Sequence, residues 1–289
     1  MSESMIAVLA PPLDTKSGGI VCLHKLYTEL RFIDPRTKLL LYKGIGNQFL
    51  VEVSESKFVV PEELNNYFPN TIFIVPEVLC GSRLMGLRIA RYYLNKLGAV
   101  APAKADVKTE FAITFNTAYC PKPFFYLPQF LGKPEIPDSF RSAIQSSKPI
   151  NCTYYGKNAG RYENAIALPS SILITRSWPE NPDHYLELLR LSEYFFSFDS
   201  VSSSNSDALL LGNKVVLLDF HPNTESIFNK IAPEQPYLTA ENYASPEALE
   251  QYVEKCDQWL QGLRETKNNF DILVEILHES LNKFFRSRT

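Results

Sequence analysis

Short apolar runs alternate along the chain with longer segments in which apolar residues recur every three or four positions. The runs predict buried strands and the periodic segments predict amphipathic helices. Their alternation predicts α/β units around largely parallel sheets. The first run is "MIAVL", residues 5–9. A loop, "APPLDTKSGG", leads into "GGIVCLHKLYTELR", where Leu23, Leu26, Tyr27 and Leu30 share one helical stripe. Further strands are predicted over 39–42, 58–60, 71–75, 111–115 and 124–127. Between the runs "TIFIV" and "FAITF", the segment "SRLMGLRIARYYLNKLG" predicts a long basic helix that stops on Gly98.

Residues 128–148, with three prolines and a glycine among polar residues, predict an inter-domain linker with a short helix inside it. A second series then starts. Strands are predicted at 150–155 ("INCTYY"), 172–175, 194–198 and 215–218. A helix over "PENPDHYLELLRLS" places Tyr185, Leu188, Leu189 and Leu191 at apolar positions. Ser245 followed by Pro246 marks a helix start, as N-cap and first helical residue. The last helix, about 269–285, carries Leu273, Ile276, Leu277, Leu281 and Phe284 on one face. The expected organisation is two Rossmann-like domains, 1–130 and 149–268, joined by a linker at 131–148, with a C-terminal helix at 269–289 packing back across them.

A chain of 289 residues is long for one domain and suits two of roughly 120–150 residues. A net charge of −3 supplies no global basic field, which disfavours a nucleic-acid partner. The 5 cysteines contain no CxxC pair, so they read as reduced thiols rather than a disulfide framework or a zinc knuckle. "MSESMIAVLAPP" has no basic segment ahead of its short apolar run, unlike a signal peptide, and no run approaches the roughly 18–20 apolar residues of a membrane span. A cytoplasmic location is expected. Lys283, Arg286 and Arg288 beside the last apolar stripe also suit contact with an anionic membrane, although packing onto the domains explains the stripe and is preferred.

In open α/β sheets ligands sit at the carboxyl ends of strands, so the loops after strands hold the candidate chemistry. After the first strand, Asp14–Gly19 ("DTKSGG") ends in Gly18 and Gly19 at a helix start. There, free N–H groups can meet an anion, and a plain tight turn is the competing reading. Glu77 follows "TIFIV" and is either a general base, a sugar-hydroxyl ligand or a solvated loop residue. Lys157 and Arg161 follow strand 150–155 and Arg176 ends strand 172–175; neighbouring strand ends would converge these cations on a phosphate or diphosphate. The most unusual loop is "FDSVSSSNSDALLLGNKVV", residues 198–216. Its serines suit both helix capping and donation to phosphate oxygens, and Asp207 stands within the first turn or two of the helix. "FHPN" at 220–223 is a short His-Pro turn. The four histidines are dispersed, and no Ser-His-Asp order, nucleophile elbow, kinase signature or DxD metal pair is present.

Together these loops resemble those of nucleotide-sugar-dependent glycosyltransferases of the GT-B type, in particular bacterial polysaccharide glycosyltransferases. "SGGIVCLHKLYTELR" is similar to the family's first loop and helix. "IVPEVLCGSRLMGLRIARYYLNKLG" is similar to a strand, a Pro-Glu pair and a basic helix, with Leu97 in place of a proline. "YYGK", "ITRSWP" and "LLRLSEYFFSFDSVSSSNSDALLLGNKVVLL" are similar to the donor-binding half. The resemblance implies two Rossmann-like domains facing a central cleft and metal-independent sugar transfer without a cofactor, from a nucleotide sugar to a glycan acceptor in surface or capsular polysaccharide synthesis. It implies that Gly18 and Gly19 approach the donor phosphate or the acceptor. Lys157 and Arg176 would neutralise the diphosphate, Ser202, Ser203 and Ser204 would line it, Asp199 would face the transferred sugar, and Asp207 would hold the ribose. For an inverting route, Asp14 or Glu77 is the candidate base. Two departures stand out: aspartates replace the family's usual glutamates, and 201–205 lacks its common glycine. A non-hydrolysing epimerase and an inert nucleotide- or glycan-binding module are the competing readings.

Overall fold

The computed structural model describes residues 4–15, 17–79, 82–95, 97–98, 109–115, 119–120, 122–127, 140–156, 159, 167–200, 202–219 and 235–288. The chain is mixed α/β and divides into two compact units. The first holds residues 1–132 and 268–289, the second 133–267.

In the first unit, strand β1 (Met5–Ala10) leads through helix α1 (Gly18–Ile33) to β2 (Lys38–Ile45). Strands β3 (Gln48–Ser54) and β4 (Lys57–Val59) follow as antiparallel hairpins. A 3-10 turn (Pro61–Glu63) and a single helical turn, α2 (Leu64–Tyr67), then lead to β5 (Thr71–Pro76). Strands β6 (Arg88–Tyr93), β7 (Phe111–Thr114) and β8 (Phe125–Tyr126) complete an eight-stranded sheet in the order β4-β3-β2-β1-β5-β6-β7-β8. From β2 to β8 every neighbouring pair is parallel. Both faces of this sheet are covered. Ile6, Val8 and Ala10 of β1 and Ile72 and Ile74 of β5 pack on one side with Leu23, Leu26 and Leu30 of α1. Ala7, Leu9, Phe73 and Val75, which alternate with them, pack on the other side with Phe49, Val51, Leu64 and Leu84. That is why "MIAVL" and "TIFIV" read as unbroken apolar runs.

The last helix belongs to this unit. Its Phe270, Val274, Leu277, Leu281 and Phe285 are buried in the same cluster as α1. Asp34, beyond the end of α1, holds Arg36 in a two-nitrogen contact at 2.9 and 2.8 Å, one to each carboxylate oxygen, and His278 of that last helix lies 4.0 Å from Oδ2, the oxygen that accepts from Arg36 Nη2. The Arg36 guanidinium holds the Asp34 carboxyl below the usual carboxylate range.

The basic helix expected over 82–98 is not formed. The segment is a 3-10 turn (Ser82–Leu84), a turn at Gly86 with φ of +82°, and the strand β6. Every residue of β6 from Ile89 to Tyr93 is buried, so the run has no two-fold alternation to distinguish it from a buried helix. Of its two arginines, Arg91 is internal to the sheet rather than on a solvated helix face. The apolar pattern also assigns no element to β3, whose alternating "FLVEV" closes the β2 hairpin.

The second unit contains α3 (Phe140–Gln145), β9 (Ile150–Tyr154), β10 (Ser171–Ile174), α4 (Pro182–Leu191), β11 (Ser192–Ser197), α5 (Ser203–Leu210), β12 (Lys214–Leu217) and β13 (Leu238–Thr239). It ends with α6 (Pro246–Asn268), after which α7 (Phe270–Arg286) returns to the first unit. Its five strands are all parallel, in the order β10-β9-β11-β12-β13. The core joins Cys152, Ile174, Leu189, Phe195, Leu209, Val215 and Val216 with Tyr252, Val253, Cys256 and Leu260 of α6. Ser245 caps α6, accepting the Ala248 N–H at 3.3 Å. No described helix is long and apolar enough to cross a membrane. Cys22, Cys120, Cys152 and Cys256 are buried free thiols.

Candidate functional site

Each sheet has a place where the chain reverses its direction of winding. In the first, β1 lies between β2 and β5; in the second, β9 lies between β10 and β11. At such points the loops leaving the two central strands diverge and open a crevice at their carboxyl ends. The loops singled out from sequence emerge there: Asp14 and Gly18–Gly19 after β1, Glu77 after β5, Tyr155 and Gly156 after β9, and Phe198–Ser200 and Ser202–Asp207 after β11.

The second unit's crevice is the more completely built. Gly156 follows β9 with φ of +55°, and a Cβ there would collide with the Asp199 carboxylate and the Tyr154 ring. Asp199 is 2% exposed. Its carbonyl oxygen collects three donors: the Ser197 hydroxyl at 3.1 Å, the Ser202 N–H at 3.1 Å and the Asn205 amide at 2.9 Å. Its own N–H donates back to the Ser197 hydroxyl. The turn is thereby fixed, with the Asp199 side chain against the bare backbone of Gly156. Beside it the Tyr155 and Phe198 rings stack at 4.3 Å between centroids.

Helix α5 starts at the same point. Ser202 is its N-cap: the hydroxyl accepts from the Ser204 N–H at 3.2 Å and donates to the Tyr154 hydroxyl at 3.3 Å. Ser203 is exposed, whereas Ser204 and Asp207 are half-buried. Asp207 stands in the second turn and accepts from the Tyr185 hydroxyl of α4 at 3.4 Å. Burial, followed by the Asp207 charge, pushes the Tyr185 phenol well above its ordinary range. Arg176 is exposed just beyond β10, the strand next to β9. Lys157, Arg161 and "FHPN" (220–223) lie outside the described residues.

The structure thus brings Asp199, Ser202, Ser203, Ser204 and Asp207 together around one helix start. Sequence reasoning missed the residues that hold them there. Gly156 is the third residue of "YYGK", and a glycine directly after a strand was its only signal. Tyr154 and Tyr185 read as strand and helix core positions, and their hydroxyls gain partners only through the fold. Asn205 reads as one more polar loop residue but is fully buried.

At the first unit's crevice, α1 starts without a side-chain cap from Ser17 and with no acidic residue in its first turn. The Ser17 N–H donates to the Asp14 carbonyl, and the His24 ring pairs with the Pro11 carbonyl at 2.8 Å, which ties the loop to the helix. A Cβ at Gly19 would sit 3.7 Å from Leu94, an ordinary contact, so packing within the chain does not require glycine there. Asp14 is exposed. Glu77 is 4% exposed and accepts the Leu94 N–H at 3.1 Å, joining the ends of β5 and β6. Burial, with the Glu77 charge as a smaller contribution, raises the Tyr42 phenol; burial also lifts Tyr93, to about 12.

The frame around Glu77 depends on Arg91, which is 1% exposed. Arg91 donates to both oxygens of Glu110 at 2.6 and 2.7 Å and to the carbonyls of Pro76 and Leu79. A buried strand arginine therefore fixes the loop carrying Glu77. Among the described residues, no three His, Cys, Asp or Glu side chains are placed to share a metal ion.

No family model matches the chain, and no curated protein matches it. Among solved structures, a spinosyn rhamnosyltransferase complexed with thymidine diphosphate aligns over 97% of this chain and 96% of its own, at 9% identity and a TM-score of 0.35. Escherichia coli ADP-heptose LPS heptosyltransferase II aligns over 90% and 99%, at 10% identity and a TM-score of 0.29. A benzoate-bound ABC-transporter solute-binding protein from R. palustris aligns over 98% and 85%, at 11% identity and a TM-score of 0.24. Scores this low do not separate a transferase from a solute-binding protein, so the functional reading rests on the chain's own residues.

Proposed function

We propose that the chain is a nucleotide-sugar-dependent glycosyltransferase of the GT-B type, acting on a glycan acceptor, and that its second unit binds the donor. The observation that carries this reading is the crevice at the ends of β9 and β11. There the Asp199 side chain is packed directly on the Gly156 backbone, next to the serine-rich start of α5. A diphosphate at that helix start would meet the positive end of the helix dipole. Ser203 and Ser204 add hydroxyls; Ser202 contributes chiefly by holding the turn, since its hydroxyl already serves Ser204 and Tyr154. Arg176 and Lys157 supply the countercharge. Asp207, oriented by Tyr185, takes the ribose hydroxyls, and Asp199, buried against Gly156, fixes the turn on the sugar side of the site.

Transfer breaks the anomeric C–O bond to the diphosphate, which leaves with the electron pair, while an acceptor oxygen forms the new C–O bond. The transition state is oxocarbenium-like, and most of the protein's contribution is stabilisation of the departing negative charge. The acceptor is assigned to the first unit. Of its two candidate bases, exposed Asp14 is preferred for taking the acceptor proton, because the Glu77 carboxylate is buried on the Leu94 N–H.

The test is a thermal-shift screen against UDP, GDP, CMP and dTDP sugars, since a ligand of the native state raises the melting temperature. One donor class is expected to stabilise the protein, and Asp207→Ala is expected to weaken that donor by roughly tenfold or more. A donor that binds the Asp207→Ala variant unchanged removes the site assignment. No stabilisation by any donor leaves the inert-module reading, and a bound donor that is never transferred or hydrolysed separates binding from catalysis.

A further inference from the structure

A cavity of about 670 Å³ opens in the second unit, lined by Trp178, Pro179, Glu180, Asn181, His184, Glu187, Leu188 and Leu191. None of these residues belongs to the donor site. The first four lie in the loop after β10, at the carboxyl edge of the sheet, and the rest form one stripe of α4 at spacings of three and four residues. The volume lies within the range of small-molecule sites.

We propose that this cavity binds a neutral carbohydrate, stacked on Trp178. Three features of the lining select that ligand. The first is an apolar platform. Trp178 is 47% exposed beside Pro179, and Leu188 and Leu191 continue the surface. The electron-rich face of an indole attracts the weakly positive C–H groups on the flat side of a pyranose ring. The second is the set of polar groups at its margin. Glu180 and Glu187 are acceptors for sugar hydroxyls. The Asn181 side-chain oxygen is already committed to the Asp183 N–H at 2.8 Å, so its amide offers donors. The third is charge: among the described residues the lining contains two carboxylates and no lysine or arginine. That repels phosphates, nucleotides and uronic acids, and it separates this cavity from the donor crevice. The loop that carries the platform is also held before any ligand arrives. The Trp178 backbone N–H donates to the Thr175 hydroxyl at 2.9 Å, and its backbone carbonyl accepts the Thr175 N–H at 2.9 Å. A backbone fixed in advance needs no ordering on binding, which favours affinity.

The test is titration of the full chain with neutral tetrasaccharides of glucose, mannose, galactose and N-acetylglucosamine. Tetragalacturonate serves as the anionic comparison, and binding is read by intrinsic tryptophan fluorescence and by calorimetry. The chain has 2 tryptophans, and Trp259 packs against the core of the same unit, so Trp178 is the reporter expected to respond. At least one neutral tetrasaccharide is expected to bind and the galacturonate is not. Trp178→Ala should weaken binding by roughly tenfold or more, with Trp178→Phe intermediate. No neutral sugar bound, preference for the galacturonate, or affinity unaffected by Trp178→Ala overturns the proposal. A response to a lysine-rich helical peptide in place of the sugars overturns it too, and marks a protein-docking groove. Donor-induced thermal shifts should be unchanged in Trp178→Ala, so the outcome stands apart from that of the donor screen.

Discussion

The two crevices occupy equivalent points of two largely parallel sheets, yet they are held by different means. In the first unit the loop bearing Glu77 is fixed by a buried ion pair, Arg91 to Glu110, with the arginine also serving two carbonyls of that loop. In the second, the turn bearing Asp199 is fixed by neutral hydrogen bonds converging on one carbonyl, and the side chain rests against a glycine. A buried ion pair adds little net stability when intact but costs heavily when one member is removed. A turn held by several neutral bonds tolerates the loss of any one, but it depends on the residue whose missing Cβ makes room for it.

That contrast predicts the largest effect in the first unit. Arg91→Met leaves Glu110 buried without its partner and frees the Pro76–Leu79 loop. The expected cost is about 3–5 kcal/mol in chemical denaturation. Arg91→Met combined with Glu110→Leu should recover a large share of it, because the orphaned charge is gone. If the single variant is no less stable than the parent, the loop is held by something else and the contrast fails. Below its melting temperature, Arg91→Met should keep nucleotide-sugar affinity, because the donor is assigned to the other unit.

A smaller effect is expected from Gly156→Ala. The methyl group meets both Asp199 and Tyr154, on a backbone at φ of +55° that disfavours a side chain. Strain and displacement together should cost about 2–3 kcal/mol. Here the two crevices should part company: donor affinity should fall along with stability, since Asp199 must move. Full donor affinity in a folded Gly156→Ala protein would detach Asp199 and Gly156 from the donor site.

How much of this was legible in the sequence follows the same division. Strands β1, β5, β7, β9, β10, β11 and β12 stand where their apolar runs place them, and α1, α4, α5 and α6 follow their stripes and caps; α7 forms where expected, but its buried face runs through Val274 and Phe285 and leaves Ile276 exposed. Those elements report their burial locally, residue by residue. Strand β6 does not. It is covered on both faces and carries Arg91, and an arginine in an apolar run reads as a helix's solvated side until Glu110 is seen beside it. The glycine after β9 has the same limitation, because its partner is 43 residues further along the chain and only the parallel pairing of β9 with β11 brings the two together. The serines after β11 were visible as a helix start. Their division into Ser202, spent on the cap, and Ser203 and Ser204 beyond it is set by the Tyr154 hydroxyl, which the fold brings to Ser202 from another strand.

The smallest expected effect sharpens the comparison from the opposite end of the second sheet. Lys148 precedes β9 and donates to the Leu211 and Gly212 carbonyls at 3.0 Å each, at the end of α5, with Lys214 and Glu193 nearby. Burial, aided by the Lys214 charge and opposed by that of Glu193, lowers the Lys148 ammonium to about 8 from its ordinary value of 10.5. The folded chain therefore releases this proton near pH 8 and the unfolded chain only near 10.5. Between those values the unfolded state holds more protons, so stability rises with pH on this residue's account and the gain is lost as pH falls back through about 8. The Lys148→Met variant should lack this rise. The difference between the two stability curves from pH 7.5 to 9.5 should slope upward for the parent, but by well under the ~1.4 kcal/mol per pH unit of a full proton, because the lysine is only half-buried. Donor affinity, measured over the same range, should be the same in both proteins. Lys148 sits at the amino end of the sheet, and the proposed donor groups sit at the carboxyl end. A donor affinity that follows the Lys148 titration would mean that the two ends of this unit are coupled, and that its crevice depends on a buried charge after all.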